Sequence, residues 1–394
     1  MHLTKEYRVK STTLSATVCA AVIATVAIAA PASAHGGKPP VSISERVIAD
    51  GLLSPLSLDV DHRGNAYVTQ NFSGVLTKVP PRGSSTTIAS GNGDEIGAVS
   101  TRGDTVYYVQ ASQDEAHSRA TLMRITKRGA PTAVADLRAF EDRVNPDGVN
   151  TYGFTDLPES CASQFDPNGP FGAASYTGIL DTHAYASLAL KDGVYIADAG
   201  MNAIIKVGHK GRISTVAVLP PMPPITISAE LAEQAGFPEC AVGYGYRFEP
   251  VPTDVEVGPG GWLYVTALPG GPEDASLGMR GMVYKVNPWN GKVVTHATGF
   301  VGATGLAVSQ KTGVVFVAEM FGGPDGTGQV SVVLPWSKQA VASFPVTSPA
   351  AIELSGRSIY LTKDAFVMGA EGPQAIGKVV KVSLKGKWMK SYLG

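Results

Sequence analysis

The chain reads as an all-β protein, a six-bladed β-propeller with two long loop insertions on one face. Three observations predict this. A unit of inner strand, tight turn and aromatic-led strand recurs six times. Where nothing is inserted, the recurrences stand about 40 residues apart, the period of a four-stranded blade. The turns between strands are rich in glycine and proline, with 45 Gly and 27 Pro in 394 residues, and charged residues make up only 16%. An average soluble domain carries roughly 25% charged residues, so little of this chain is built to be a solvated helix face.

The clearest unit is KDGVYIADAGMNAIIKVGHKGRISTVAVL, residues 191–219. Apolar and polar residues alternate through 194–197, 203–207 and 213–219, and β-branched residues dominate, as strands require. Lys191-Asp192-Gly193 and His209-Lys210-Gly211 supply the tight reversals. Asp198 and Asn202 bracket Gly200, and their short polar side chains can bond local backbone groups.

In chain order the repeats are LSLDVDHRGNAYVTQ (56–70), IGAVSTRGDTVYYVQ (96–110), SLALKDGVYIADA (187–199), DVEVGPGGWLYVTA (254–267), GLAVSQKTGVVFVAE (305–319) and AIELSGRSIYLTK (351–363). Each is followed by a third strand and most by a fourth. Measured between Tyr67, Tyr107, Tyr195, Tyr264, Phe316 and Tyr360, the gaps are 40, 88, 69, 52 and 44 residues. The two longest contain insertions, at about 140–181 and 220–252. Neither carries the repeat unit, and the apolar residues of the first do not alternate over a useful length. Ring closure needs a strand from the other end of the chain; residues 46–53 and 387–393 both qualify, and the sequence leaves that choice open.

The N-terminus has the form of an export signal. Lys5, Arg8 and Lys10 precede an apolar stretch at 14–30, and Ala32-Ser33-Ala34 is a small-residue cleavage site. Residues 1–34 are therefore predicted to be removed. That leaves a flexible tail at 35–43 beginning with His35, and one propeller over 44–394. An uncleaved anchor is the alternative; a lipid anchor at Cys19 is disfavoured by the bulky Val18 before it. The expected location is secreted or extracytoplasmic, with no transmembrane segment after cleavage. A formal net charge of −1, without a basic run interleaved with aromatics, argues against nucleic acid as a partner.

Asp198-Ala-Gly-Met-Asn202 followed by Ile204-Ile205-Lys206-Val207 resembles the NHL-type repeat. Taken with GRISTVAVLP (211–220), VPTDVEVGPGGWLYVTALPG (251–270) and ATGF (297–300), nearly the whole mature chain resembles the secreted ScyD/ScyE family. Some members of that family are associated with gene clusters for the pigment scytonemin, and the resemblance implies no established chemistry. Asp181-Thr-His-Ala-Tyr185 departs from the family's Asp-Ser-Asn-Pro-Tyr.

Strand direction alternates within a blade. The tight turns between first and second strands therefore gather on one face, and the long loops and blade links on the other. Variable loops over a rigid scaffold are where binding surfaces form. On that face the candidate binding residues, at the mouth of the central channel, are Glu95, His183, Tyr185, Thr253, Asp254, Thr304 and Glu319. Asp94 lies beside them. Metal-dependent propellers place oxygen ligands just before the innermost strands, because a hard cation takes several oxygens. Here those positions are Leu56, Glu95, Ala186, Thr253, Thr304 and Ala350, with one carboxylate among six. No metal, cofactor or catalytic residue is assigned.

The acidic loops Pro272-Glu273-Asp274 and Pro324-Asp325-Gly326 read as solvated turns that could take calcium weakly. Gly372-Pro-Gln-Ala-Ile-Gly377-Lys378 matches the start of a phosphate-binding loop, but Val379 stands where Ser or Thr is needed and no helix follows. Tyr152, Phe154, Phe165, Phe171 and Tyr176 could grip a ligand or pin the first insertion to the scaffold. Cys161 and Cys240 are the only cysteines of the mature chain, one in each insertion. Export would expose them to oxidation, which predicts a disulfide; two separate buried thiols are the alternative. The function expected is that of a secreted, non-catalytic binding or scaffold protein for an extracellular small molecule or protein. The alternative is a propeller enzyme, a lyase or lactone hydrolase, working at the channel mouth.

Overall fold

The computed structural model describes residues 42–112, 118–127, 129–167, 169 and 172–385. The export signal with Cys19 and His35, Phe171, and the competing closing segment 387–393 lie outside the described residues.

Six four-stranded antiparallel sheets form the ring. Their innermost strands are Leu58–Val60, Glu95–Arg102, Ala184–Leu190, Pro252–Val257, Ala303–Val308 and Ile352–Ser355. Each touches the next, and the sixth touches the first, so the cycle closes at six blades. Blades one to five are each made of four consecutive strands. The sixth takes its outermost strand from the other end of the chain: Ser42–Leu52 pairs antiparallel with Gly377–Lys385. This answers the closure question for the N-terminal candidate.

The anchor aromatics occupy second strands, where alternation points one face of each sheet at the neighbouring blade. The seams between blades are filled accordingly. Val109 and Leu122 of blade two meet Val194 and Ile196 of blade three. Phe316 and Val332 of blade five meet Ile359 and Val382 of blade six. The turns that allow such close packing are glycine turns. A Cβ on Gly211, whose φ is +75°, would lie 2.5 Å from the Val134 carbonyl oxygen on the outer strand of blade two. That turn therefore abuts the neighbouring blade.

The insertions are not loops. Thr151–Phe154 and Ser175–Thr177 from the first join Gly245–Arg247 and Ile225–Thr226 from the second in a seventh sheet outside the ring. Short helices Leu137–Val144, Glu159–Ala162 and Ala229–Ala235 accompany it. The expectation of loop insertions is thus corrected to a folded lid. Its strands are two to four residues long and its central pairing, Gly153 with Arg247 and Phe154 with Tyr246, joins one insertion to the other across more than 90 positions, so alternation within either insertion could not reveal them. Among the described residues no helix is long and apolar enough to cross a membrane.

Candidate functional site

An innermost strand leaves one backbone edge facing the channel, and unpaired N–H and C=O groups there carry a cost. This chain covers that edge with short polar side chains reaching to the next blade. Ser57 Oγ accepts from Val99 N at 3.0 Å, and an Asp59 carboxylate oxygen accepts from Thr101 N. Ser187 Oγ donates to Ala98 O at 2.6 Å, Thr253 Oγ1 to Ala303 O at 2.8 Å, and Thr304 Oγ1 to Ala350 O at 2.9 Å. Asp254 Oδ2 accepts from Leu306 N at 2.7 Å.

These bonds divide the seven predicted positions. Thr253 and Thr304 are buried in the seams between blades, and their hydroxyls are spent there. Glu319 is also buried; it accepts from Val301 N, Gln329 Nε2 and Ser331 Oγ. All three are corrected to scaffold positions: Thr253 and Thr304 satisfy the adjoining blade, and Glu319, at the end of its strand, bonds its own blade and the link that enters it. Asp94 is held by Arg119 at 2.8 Å and by Gln110.

Glu95, His183 and Tyr185 do come together at the mouth. His183 Nε2 stands 3.8 Å from Glu95 Oε1, which also accepts from Asn71 Nδ2 at 2.7 Å; Asn71 is held in turn by Thr69 Oγ1 at 2.6 Å. The Tyr185 ring lies 6.2 Å from the imidazole. His183 keeps 48% of its side chain open to water although protein surrounds it, so it stands in a recess. Burial alone would lower its pKa. Glu95, with Asp181 and Asp198 behind it, reverses that and raises it to about 9. Burial likewise pushes Glu95 up, but His183 and Asn71 hold it below the usual carboxylate range. Near neutral pH the pair is imidazolium and carboxylate, and His183 has no lone pair free to act as a base. Tyr185 is raised by burial and by the charges of Glu273, Glu95 and Asp254.

Below the mouth the channel is acidic, and here the sequence reading missed residues. Burial raises Asp254 to about 7. Glu256 of blade four and Glu353 of blade six are hydrogen-bonded to one another; burial pushes both well up, joined at Glu256 by the charges of Asp254 and Asp59 and at Glu353 by that of Glu256. Asp59 is raised by burial as well. The missed signal was the alternation in LDV, DVEV and IEL, which turns every second residue of an innermost strand toward the channel. Among the described residues no three His, Cys, Asp or Glu side chains are grouped to hold a metal ion. Asp274 and Asp325 of the acidic loops accept from Ser276 and Thr327 two residues on, as local turns do.

The lid is fastened at three points. Cys161 and Cys240 are bonded, with Cα atoms 5.8 Å apart, so the predicted disulfide is present. Around it Phe154 packs against Phe165, Phe237 and Tyr246 at 5.0 to 5.5 Å. Tyr152 and Tyr176 pack together with their rings tilted at 43° and donate to Asp147 Oδ2 and Glu249 Oε1. The described aromatics of the first insertion are therefore core and pins. The third point is Asn202. Its Nδ2 donates to Asp147 Oδ2 of the first insertion and to Glu249 Oε2 of the second, both at 2.9 Å, and its Oδ1 accepts from Val251 N. The Asp198 end of the same turn behaves as expected locally, with Oδ1 accepting from Met201 N and also from His183 N. Asn202 keeps a local bond, Nδ2 to Gly200 O at 3.4 Å, but also reaches across and ties both insertions to blade three.

The lid continues toward the mouth. Arg280 lies 4.8 Å over the Phe248 ring and donates to Gly270 O and Pro272 O. It thereby clamps the loop that carries Glu273, whose charge is felt at Tyr185.

No family model matches the chain, and no curated protein sequence matches it. Solved structures do. An oxidoreductase described as a glucose dehydrogenase, from Thermus thermophilus, is 13% identical over 86% of this chain and 100% of its own, with a TM-score of 0.51. The PQQ-bound aldose sugar dehydrogenase of Streptomyces coelicolor is 13% identical over 88% and 100%, at 0.49. Regucalcin from Agrobacterium tumefaciens, a calcium-binding protein, is 14% identical over 88% and 96%, also at 0.49. At such identity the likeness is one of fold alone, and the fold it supports is the β-propeller.

Proposed function

We propose that this is an exported, non-catalytic binding propeller that takes a small amine-bearing molecule at the channel mouth beside the lid. Membership of the ScyD/ScyE family, carried by the motif at 198–207, belongs to the same reading. The observation that supports it most is the lining of the recess. Glu95 stands beside His183, the nearby cation, Asp254, Glu256 and Glu353 add acidic groups in the channel, and Tyr185 offers an aromatic face. Acidic walls concentrate cations, and an aromatic face binds them further. A lid already fastened by a disulfide and by Asn202 also lowers the cost of ordering loops on binding.

The chemistry of the lining leads to a specific test. Asp254 is half-protonated near neutral pH, and burial favours the protonated forms of Glu256 and Glu353 as well. A bound cation favours the charged forms, so protons leave as it enters and affinity rises with pH. Calorimetric titration of the mature chain with putrescine and choline, and with glucose as a neutral control, is the measurement. We expect an amine to bind with proton release, more tightly at about pH 8 than at about pH 6, and Glu95→Gln or Tyr185→Ala to weaken it roughly tenfold. Glucose binding in place of the amines, or tightening as pH falls, would sink the cationic ligand. Turnover of a lactone that is abolished by His183→Ala would favour the alternative, an enzyme at the same mouth.

A further inference from the structure

The face opposite the lid carries a contact that recurs from blade to blade. Four blades share a device there: the tyrosine of the second strand has a lysine from the third strand over its ring. The distances are 5.7 Å for Lys78 on Tyr67, 5.1 Å for Lys206 on Tyr195, 5.1 Å for Lys285 on Tyr264 and 5.0 Å for Lys381 on Tyr360. Blade two has the same register, with Tyr107 directly opposite Arg124. Yet among the described residues no cation lies over the Tyr107 ring. Arg124 instead lines a cavity of about 100 Å³ between blades two and three, together with Arg102 and His209, over a floor that includes Val134 and Val194.

Nothing in this cavity neutralises its charge. Its lining holds no Asp or Glu. The neighbouring carboxylates are already engaged: Asp104 by Arg63 at 2.8 Å and Lys127 at 3.5 Å, Asp192 by Lys206 at 2.5 Å. Arg102 and Arg124 make no ion pair among the described residues. His209 is held in place through a hydrogen bond between Nε2 and Lys191 O at 2.8 Å, which leaves Nδ1 unused by that bond. All three basic side chains remain exposed, so the cavity is open to solvent.

We propose that this cleft binds a dianionic tetrahedral oxyanion, as free phosphate or as a phosphate monoester. The planar guanidinium matches two oxygens of such a group at once, and two guanidiniums around one cavity can take opposite edges of it. The strand geometry holds them there. Arg102 pairs with Thr105 and Arg124 with Tyr107 across adjacent ladders, so both project from the same face of blade two. The site is separate from the channel mouth and does not depend on what binds there.

Calorimetric titration of the mature chain with inorganic phosphate, and in parallel with glycerol 2-phosphate, tests it, with chloride holding ionic strength constant. We expect saturable phosphate binding that weakens with added salt. It should fall roughly tenfold or more in Arg102→Ala/Arg124→Ala and stay unchanged in His183→Ala. Both substituted arginines are exposed, so the double variant should melt with the wild type in chloride alone. Binding of both probes makes an ester the admissible ligand, and binding of phosphate alone restricts the cleft to the free ion. No saturable binding of phosphate beyond chloride, or equal binding by the double variant, overturns the proposal.

Discussion

The ring and the lid are built from the same kind of sheet by opposite means. In the ring each sheet folds from neighbouring strands, and only the sixth borrows from afar. Its seams are continuous apolar clusters, and its polar side chains merely cover strand edges. In the lid the four strands total twelve residues and come from two distant segments. Strands that short bury too little to hold a sheet together alone. The lid therefore relies on a covalent bond, an aromatic cluster and a buried polar hub. The difference shows where stability is replaceable. A ring built of six similar seams spreads its contacts widely, whereas the lid concentrates them on a few named atoms.

The largest expected effect comes from removing the hub. Asn202→Ala deletes the donor to one buried and one half-buried carboxylate, and places alanine at a φ of +48°, a conformation asparagine tolerates better. Losing bonds to charged groups and leaving those charges buried costs about 4 kcal/mol. Hydrogen exchange should show protection lost first in 151–154, 175–177, 225–226 and 245–247, with the ring strands unchanged. Equal loss in ring and lid would break the distinction. Next comes the disulfide. Its partners are 79 residues apart, and the chain-entropy model gives such a closure roughly 4 kcal/mol as an upper figure. Cys161→Ser/Cys240→Ser should destabilise the protein by about 3 kcal/mol, read from denaturant midpoints, again with exchange concentrated in the lid.

The same contrast explains what the sequence could tell. Blade strands were legible because each is a local sentence: alternation, a glycine turn, an aromatic. Four of the scaffold roles were hidden by that success. Thr253, Thr304 and Glu319 look like mouth residues from position alone, but only the folded ring shows what each bonds, the neighbouring blade for the threonines and its own blade for Glu319. Asn202 reads as a turn residue, and its partners lie 55 and 47 positions away. Cys161 and Cys240 could be paired by elimination, since the third cysteine, Cys19, falls within the predicted export signal. The channel carboxylates Asp59, Glu256 and Glu353 were within reach of the alternation rule, had it been applied to the face turned away from the blade seam.

A pH dependence sharpens the comparison at an intermediate size. Burial raises Glu141 to about 7, although Thr182 and Asp181 N donate to it, and raises Asp198 to about 6. A carboxyl whose folded value lies above its unfolded value holds its proton more tightly when folded. Its favourable contribution is complete below the unfolded value near 4.5 and is lost as pH rises through the folded value near 7. Glu141 alone should cost about 3 kcal/mol across that window. The residues it holds, Asp181 and Thr182, lead directly to His183. Proteolysis between 225 and 247 should therefore quicken from about pH 5 to about pH 7.5, and Glu141→Gln should flatten the change. A lid equally protected at both pH values would mean that these acids do not hold the link.

The smallest effect belongs to the ring, and it is the sharpest test of redundancy there. Lys381 lies 5.0 Å over the Tyr360 ring in blade six. Exposed cation–π contacts contribute about 0.5 kcal/mol, so Lys381→Met should barely move the denaturant midpoint. Blade five shows that the charge is dispensable: Phe316 stands opposite Val332 in the same register, and both are buried. An apolar pair can thus serve where the others use tyrosine and lysine. Converting blade six to that pattern with Tyr360→Phe/Lys381→Val should leave stability within about 1 kcal/mol of the wild type. The two single changes in a double-mutant cycle should couple by about 0.5 kcal/mol. Coupling several times larger would show that the cation over tyrosine holds a blade together rather than decorating its edge. Arg124, which does not lie over the Tyr107 ring, would then leave blade two without that contact.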